Sequence, residues 1–406
     1  MGTYPSFAFS SSDDAVIIWA AGQIYRVPLK VNDQGEKILS GTPSPIRFHA
    51  RISKKLARTL KGGVDVLQQE TANTQRIYSL KNLRVDETGE QTVFEGAGLT
   101  YIHDLRSGKT DQISVSDKLA PYYSPSFVPG RSEFVIHARW SDTRFTSFEL
   151  SNLETGTTYE FEGLPLGRYL SPVVCNCPGS FRSLAFVKTG EDTLTGSILA
   201  TANPGLYIAN FDLPSGDGKK IYLKNIKYVP SNLDPDDRVN MRFLDGATKL
   251  LVQNSQTAFT INIGKGPDGN GEYEHDTIAS GRMSAELTVS PTGKDGIPDF
   301  ISFVDFFHVY LAPGKAAKEE HGVWSKPANA TKGLARLSVD GGHDITWSGD
   351  GKRVFWFLGI YGCQFLLEPF LTSTRTLYPF LGSLQAEAVC ISNKTRSFEF
   401  WDLLRP

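Results

Sequence analysis

The chain has 406 residues, 42 of them lysine or arginine and 44 aspartate or glutamate, for a formal net charge of −2. Charges of both signs are interspersed, which argues against a nucleic-acid partner, because such a surface would carry a basic stripe. No apolar run approaches the roughly 20 residues that span a bilayer. The N-terminus (MGTYPSFAFSSSDD) has no basic leader or long apolar core, so the sequence favours a cytoplasmic location without membrane contact.

In chain order, the first unit is FSSSDDAVIIWAAGQIYRVPL (9–29): an acidic turn, an apolar strand, Ala-Gly-x-x-Tyr, and a second strand ending in Leu. RISKKLARTLKGG (51–63) reads as a helix, with Ile52, Leu56 and Leu60 on one face and a Gly-Gly stop. Its basic face (Arg51, Lys54, Lys55, Arg58) is either simply solvated or a contact for a partner. The first unit is then repeated by VDETGEQTVFEGAGLTYIHDL (85–105), with Ala21, Gly22 and Tyr25 falling on Ala97, Gly98 and Tyr101 without a gap. Weaker copies occupy 127–150, 243–263, 289–311 and 347–368, and a more diverged one lies between Val173 and Leu213. The tail offers a last strand or two, at Ala388–Ser392 and Arg396–Trp401.

Each unit is strand, tight turn, strand. Pro-Gly, Asp-Gly and Thr-Gly supply the turns, and runs such as AVIIWA, EFVIHA, KLLVQN and RVFWFLG are β-branched and aromatic, as strands prefer. Their near-continuous apolarity suits strands covered on both faces. The expectation is an all-β fold: a β-propeller of about six to seven four-stranded blades. It spans 1–382, with 383–406 as a divergent tail that contributes a closing strand. The abrupt start in a strand hints at a fragment, or a ring trimmed at its termini.

Chemistry is harder to find. The four cysteines are Cys175, Cys177, Cys363 and Cys390, and one intervening residue makes Cys175-Asn176-Cys177 too tight for the usual metal or redox spacing, so ordinary semi-buried thiols are expected. The seven histidines form neither His-x-His nor His-Glu-x-x-His, and Gly-x-Ser-x-Gly and a phosphate loop are both missing. Catalytic, metal and cofactor-binding residues are therefore expected to be none, and cofactors none. Asp268-Gly-Asn270-Gly-Glu272 offers alternating oxygens for calcium but lacks the twelfth-position Glu, and a plain turn is the simpler reading. Asp236 and Asp237, before VNMRFL, and His343 and Asp344, at the head of ITWS, are candidates for the mouth of a propeller channel. The bland alternatives are a local Asp–Arg turn for the first pair and an inter-blade hydrogen bond for the second.

The phrases PSFAFSSSDDAVIIWAAGQIYRVPL, APYYSPSFVPGRSEFVIHARWSDTRFTSFEL, DDRVNMRFLDGATKLLVQ and WSGDGKRVFWFLG resemble the TolB-like (WD40-like) propeller region of large fungal amidohydrolase-family proteins. The resemblance covers roughly residues 5–360. It implies a propeller followed by a metal-dependent hydrolase barrel that carries His-x-His and the other metal ligands. After FWFLG (355–359) the sequence shows no barrel start, so none of those ligands carries over. The expected function is a non-catalytic docking or substrate-gating module for such a barrel, in cis or in trans. The alternatives are a stand-alone protein- or peptide-binding scaffold, or an enzyme with a channel site of scattered Asp, His and Arg.

Overall fold

The structure is a computed structural model that describes residues 6–20, 22–54, 77–190, 203–214, 218–231, 233–235 and 237–367, with the backbone of 389–390. Two compact units emerge, Met1–Thr71 and Ala72–Pro406, a division inside the span expected of one propeller. In the first unit, Phe7–Phe9, Ala15–Ala20, Gln23–Val31 and Lys37–Leu39 form a sheet, with Ser44–Pro45 added against Gln23–Val31. From Lys55 onward, the expected helix over 51–63 lies outside the described residues.

Among the described residues, the second unit places six principal sheets in succession. Their leading strands are Lys81–Val85, Tyr122–Val128, Tyr169–Val174, Asn240–Leu244, Glu286–Val289 and His343–Trp347. The following strands run antiparallel, outward in chain order. The second sheet gains a fifth strand, Lys220–Tyr222, which pairs parallel with Thr158–Glu162 before the chain returns to complete the third sheet. Each leading strand packs against the preceding sheet, and Lys81–Val85 packs against the last. The sheets therefore close on themselves, which is the arrangement of a β-propeller.

Closure has an energetic basis. A separate apolar core fills every junction: Val93 with Val135 between the first and second sheets, Phe148 with Phe186 between the second and third, Val187 with Val252 between the third and fourth. Leu251 and Leu287, then Val309 and Trp356, serve the next two junctions, and Phe94 and Phe357 the last. Phe94 and Phe357 meet edge to face, 5.6 Å between centroids, a favoured aromatic geometry. Strands covered on both faces need apolar residues at successive positions, and EFVIHA and RVFWFL meet that need.

The repeated phrase has a structural counterpart. Gly96 pairs with Leu99 around a two-residue turn whose Ala97 and Gly98 hold φ of 50° and 78°. A turn with two left-handed residues matches the twist of the flanking strands. Ala20 pairs with Gln23 in the first unit in the same way, and Gly22 holds φ of 74°; Ala21 lies outside the described residues. Near the C-terminus, Val389–Cys390 pairs with Tyr361–Leu366, within the strand expected at Ala388–Ser392. The second expected strand, Arg396–Trp401, lies outside the described residues.

Candidate binding channel

Two cavities, of about 650 and about 770 Å³, share Arg84, Asn240, Gln253 and Thr288 as lining residues. They form one passage between the leading strands, with a waist at those four side chains. We call the end nearer Glu286 and Asp344 the mouth.

Four leading strands bulge beside the mouth. Asn82, Ser124, Ser171 and Asp344 hold φ of 54°, 51°, 51° and 56°, each where the pairing register with the second strand shifts. A bulge turns amides out of the ladder, and carboxylates of the preceding sheet accept several of them. Ser124 N donates to Glu95 Oε2 at 2.8 Å, and Asn82 N to Asp344 Oδ1 at 3.1 Å. Asp344 N and Ile345 N both donate to Glu286, at 2.8 and 2.6 Å. The acidic groups at the mouth thus join one sheet to the next.

Charge is nearly balanced there. Arg238 Nη1 lies 3.6 Å from Glu286 Oε2 and 3.9 Å from Asp344 Oδ2, and His343 Nδ1 lies 2.7 Å from Asp344 Oδ2. Burial, then the charge of Asp344, raises the Glu286 pKa to about 7. Burial alone would raise Asp344 too, but His343 and Arg238 outweigh it and hold its carboxyl below the ordinary value. Arg168 stacks over Trp140, 5.7 Å from the ring, and both line the mouth.

The sequence candidates meet different ends. Asp344 reaches across to the first sheet, the inter-blade bond that the sequence reading gave to His343; the histidine instead holds the second carboxylate oxygen. Asp237 lines the mouth and accepts from Ser255 N and Oγ, at 3.1 and 2.6 Å. Asp236 lies outside the described residues. Arg238 N donates to Asp237 Oδ1 at 2.7 Å, a local contact of the kind the turn reading gave, while its side chain forms ion pairs with Glu286 and Asp344 on two other sheets. Asp268 accepts from Asn270 N and Glu272 N at 2.8 and 2.9 Å, an Asx turn at an exposed loop.

One expectation fails outright. Cys175 and Cys177 are joined in a disulfide rather than being ordinary thiols. The leading strand ends at Val174, so the side chains beyond it no longer follow strand geometry and the two sulfurs can converge.

Sequence reasoning missed Glu286, Glu95, Arg84 and the tip Phe306–Phe307. Glu286 opens the fifth leading strand as His343 opens the sixth, so aligned strand heads were a usable signal. Phe306 and Phe307 form a two-residue turn between Phe300–Asp305 and His308–Pro313, closed by the pair Asp305 and His308. Both are left-handed, with φ of 45° and 70°, and 76% and 83% exposed. Glu286 pairs with Val304, which puts this turn at the mouth end. Gly342 N donates to Phe307 O at 2.8 Å and ties the tip to the sixth sheet.

The unit Ala72–Pro406 is a β-propeller with a charged axial channel. No family model matches the sequence, and no curated protein does. Among solved structures the chain is similar to an oligogalacturonate lyase from Vibrio parahaemolyticus (8% identity, 86% of this chain and 84% of that one, TM-score 0.41). It is also similar to hydrazine synthase from Kuenenia stuttgartiensis (12% identity, 78% and 82%, TM-score 0.40). A third is the Swd1 propeller domain from Myceliophteria thermophila (12% identity, 72% and 84%, TM-score 0.35). Scores this low carry no argument, and the assignment rests on sheet order and the closed series of cores. No described helix is long and apolar enough to cross a membrane.

Proposed function

We propose that the propeller is a non-catalytic docking module that receives a protein partner on its mouth face. The observation that supports this is the Phe306–Phe307 tip. Bulky residues in left-handed conformations cost energy that Asn-Gly would avoid, and two exposed phenylalanines lose water contact only when something covers them. Strain retained at an exposed aromatic tip points to a role outside the fold.

The sequence resemblance to amidohydrolase-associated propellers supports one reading of the partner: a metal-dependent hydrolase barrel, in cis or in trans, with the channel gating substrate. A stand-alone scaffold for proteins or peptides would use the same face.

The test is co-purification from the native source with the full chain and with Phe306→Asn/Phe307→Gly. Recovery of a chelator-sensitive amidohydrolase by the unaltered chain alone supports the hydrolase reading. Recovery of unrelated proteins, again lost in the variant, supports the scaffold. Equal recovery by both chains rejects docking through this tip.

A further inference from the structure

Two guanidinium groups face this channel without an ion pair among the described residues, Arg84 at the waist and Arg242 beyond it, at the end away from the mouth. Arg242, on the fourth leading strand, lines the larger cavity, and its Nε is shut off from solvent with no hydrogen-bond partner among the described residues. Burial lowers its pKa to about 10. Arg84 lines both cavities and donates through Nη1 to its neighbour's carbonyl, Leu83 O, at 2.9 Å. Burial lowers its pKa as well, against the more distant charges of Asp344, Glu286 and Glu95. Both side chains are half-buried, and a partly desolvated cation without a close anion is costlier than an exposed one.

The carboxylates of this cavity are already engaged. Asp86 Oδ1 accepts from Glu90 N and Gln91 N, and Asp350 Oδ1 from Ser348 Oγ and Lys352 N. Glu87 accepts from Gly130 N and Asn176 Nδ2, which joins three sheets. None forms an ion pair with Arg84 or Arg242 among the described residues. At the waist, Val289 N donates to the Gln253 side-chain oxygen at 2.7 Å, so the Gln253 amide nitrogen remains a donor. Much of the remaining wall is apolar, including Val128, Val174, Met241 and Trp347.

We propose that this part of the channel binds a small organic carboxylate, its anionic head on Arg242 and Arg84 and its apolar body against Trp347 and Met241. The inference goes beyond docking and does not depend on it, because it concerns a small ligand bound by the chain alone.

Calorimetric titration of the full chain at low salt tests it, with hexanoate and 3-phenylpropionate as probes and 3-phenylpropan-1-ol and inorganic phosphate as comparators. Saturable binding of at least one acid is expected, weakened about tenfold or more in Arg242→Met and less in Arg242→Lys, which keeps the charge but loses the fork. Arg106→Met, at an exposed site, should bind as the unaltered chain does. Thermal melting reports whether each variant is folded; should Arg242→Met fail, Arg242→Lys and Arg84→Lys decide. Equal binding of the alcohol would show that charge is not read, and equal binding of phosphate that the apolar body is not. Either result, binding indifferent to Arg242, or no acid bound at all overturns the proposal.

Discussion

Phe306 and Phe307 occupy turn positions where Asn and Gly cost least, since a side chain at positive φ crowds the backbone. Replacing them by Asn and Gly should therefore stabilise the isolated chain, by about 1 kcal/mol for each residue. Urea denaturation measures this, and a loss of stability would mean that the aromatic rings brace the fold instead of serving a partner. The residue scale is also where the sequence was least readable. Asp344 stood out because it adjoins a histidine, whereas Glu286 does the same kind of work from within an ordinary SAELTV. Arg242 looks like any alternating polar residue of a strand, and only the closing of the sheets around it makes it a half-buried cation with an unpartnered Nε.

The recurring device among the elements is a bulged leading strand whose amides meet a carboxylate of the preceding sheet. Its pH dependence follows from Glu286, whose folded pKa is raised above the ordinary 4.5 to about 7 by burial and by Asp344. A raised folded pKa means that the stabilising contribution is complete below the unfolded value and is lost as pH rises through about 7. The unaltered chain should lose stability from this group between about pH 5 and pH 8, and Glu286→Gln should remove that component while lowering stability at pH 5, where it disturbs two amide contacts. His103, whose pKa burial lowers to about 4, acts in the opposite sense, its stabilisation being lost as pH falls below the ordinary histidine value. The difference between the two chains, read from denaturant midpoints at both pH values, isolates Glu286. Parallel pH profiles would show that Glu286 does not titrate in this window. Hairpin positions at this scale were legible from turn residues and strand runs, because both are local; the bulges were not, because nothing in YYSPSF or HDITW marks which amide leaves the ladder.

At the scale of the whole propeller, the junction between the last and first sheets must hold partners far apart in sequence, Phe357 against Phe94. Phe357→Ala leaves a cavity there and should cost about 3–5 kcal/mol. Its distinguishing effect lies in where the structure opens. Amides of Lys81–Val85 and His343–Trp347 should exchange with solvent sooner than those of Tyr169–Val174, measured by hydrogen exchange. Uniform acceleration across all leading strands would mean that the junction has no independent stability.

The sequence by itself determined the local repeat. Seven strand–turn–strand phrases were visible, and each has its own sheet, because the alternation of turn residues with β-branched and aromatic runs acts within a few residues. Tertiary structure decided which phrases share a unit: the phrase at 9–29 belongs to Met1–Thr71, and the other six to the closed series in Ala72–Pro406. It also decided the site. Arg84, Glu95, Arg242, Glu286 and Asp344 come from five separate stretches of chain, and their charges acquire meaning only when packing removes water and leaves each group the partners that its neighbours provide.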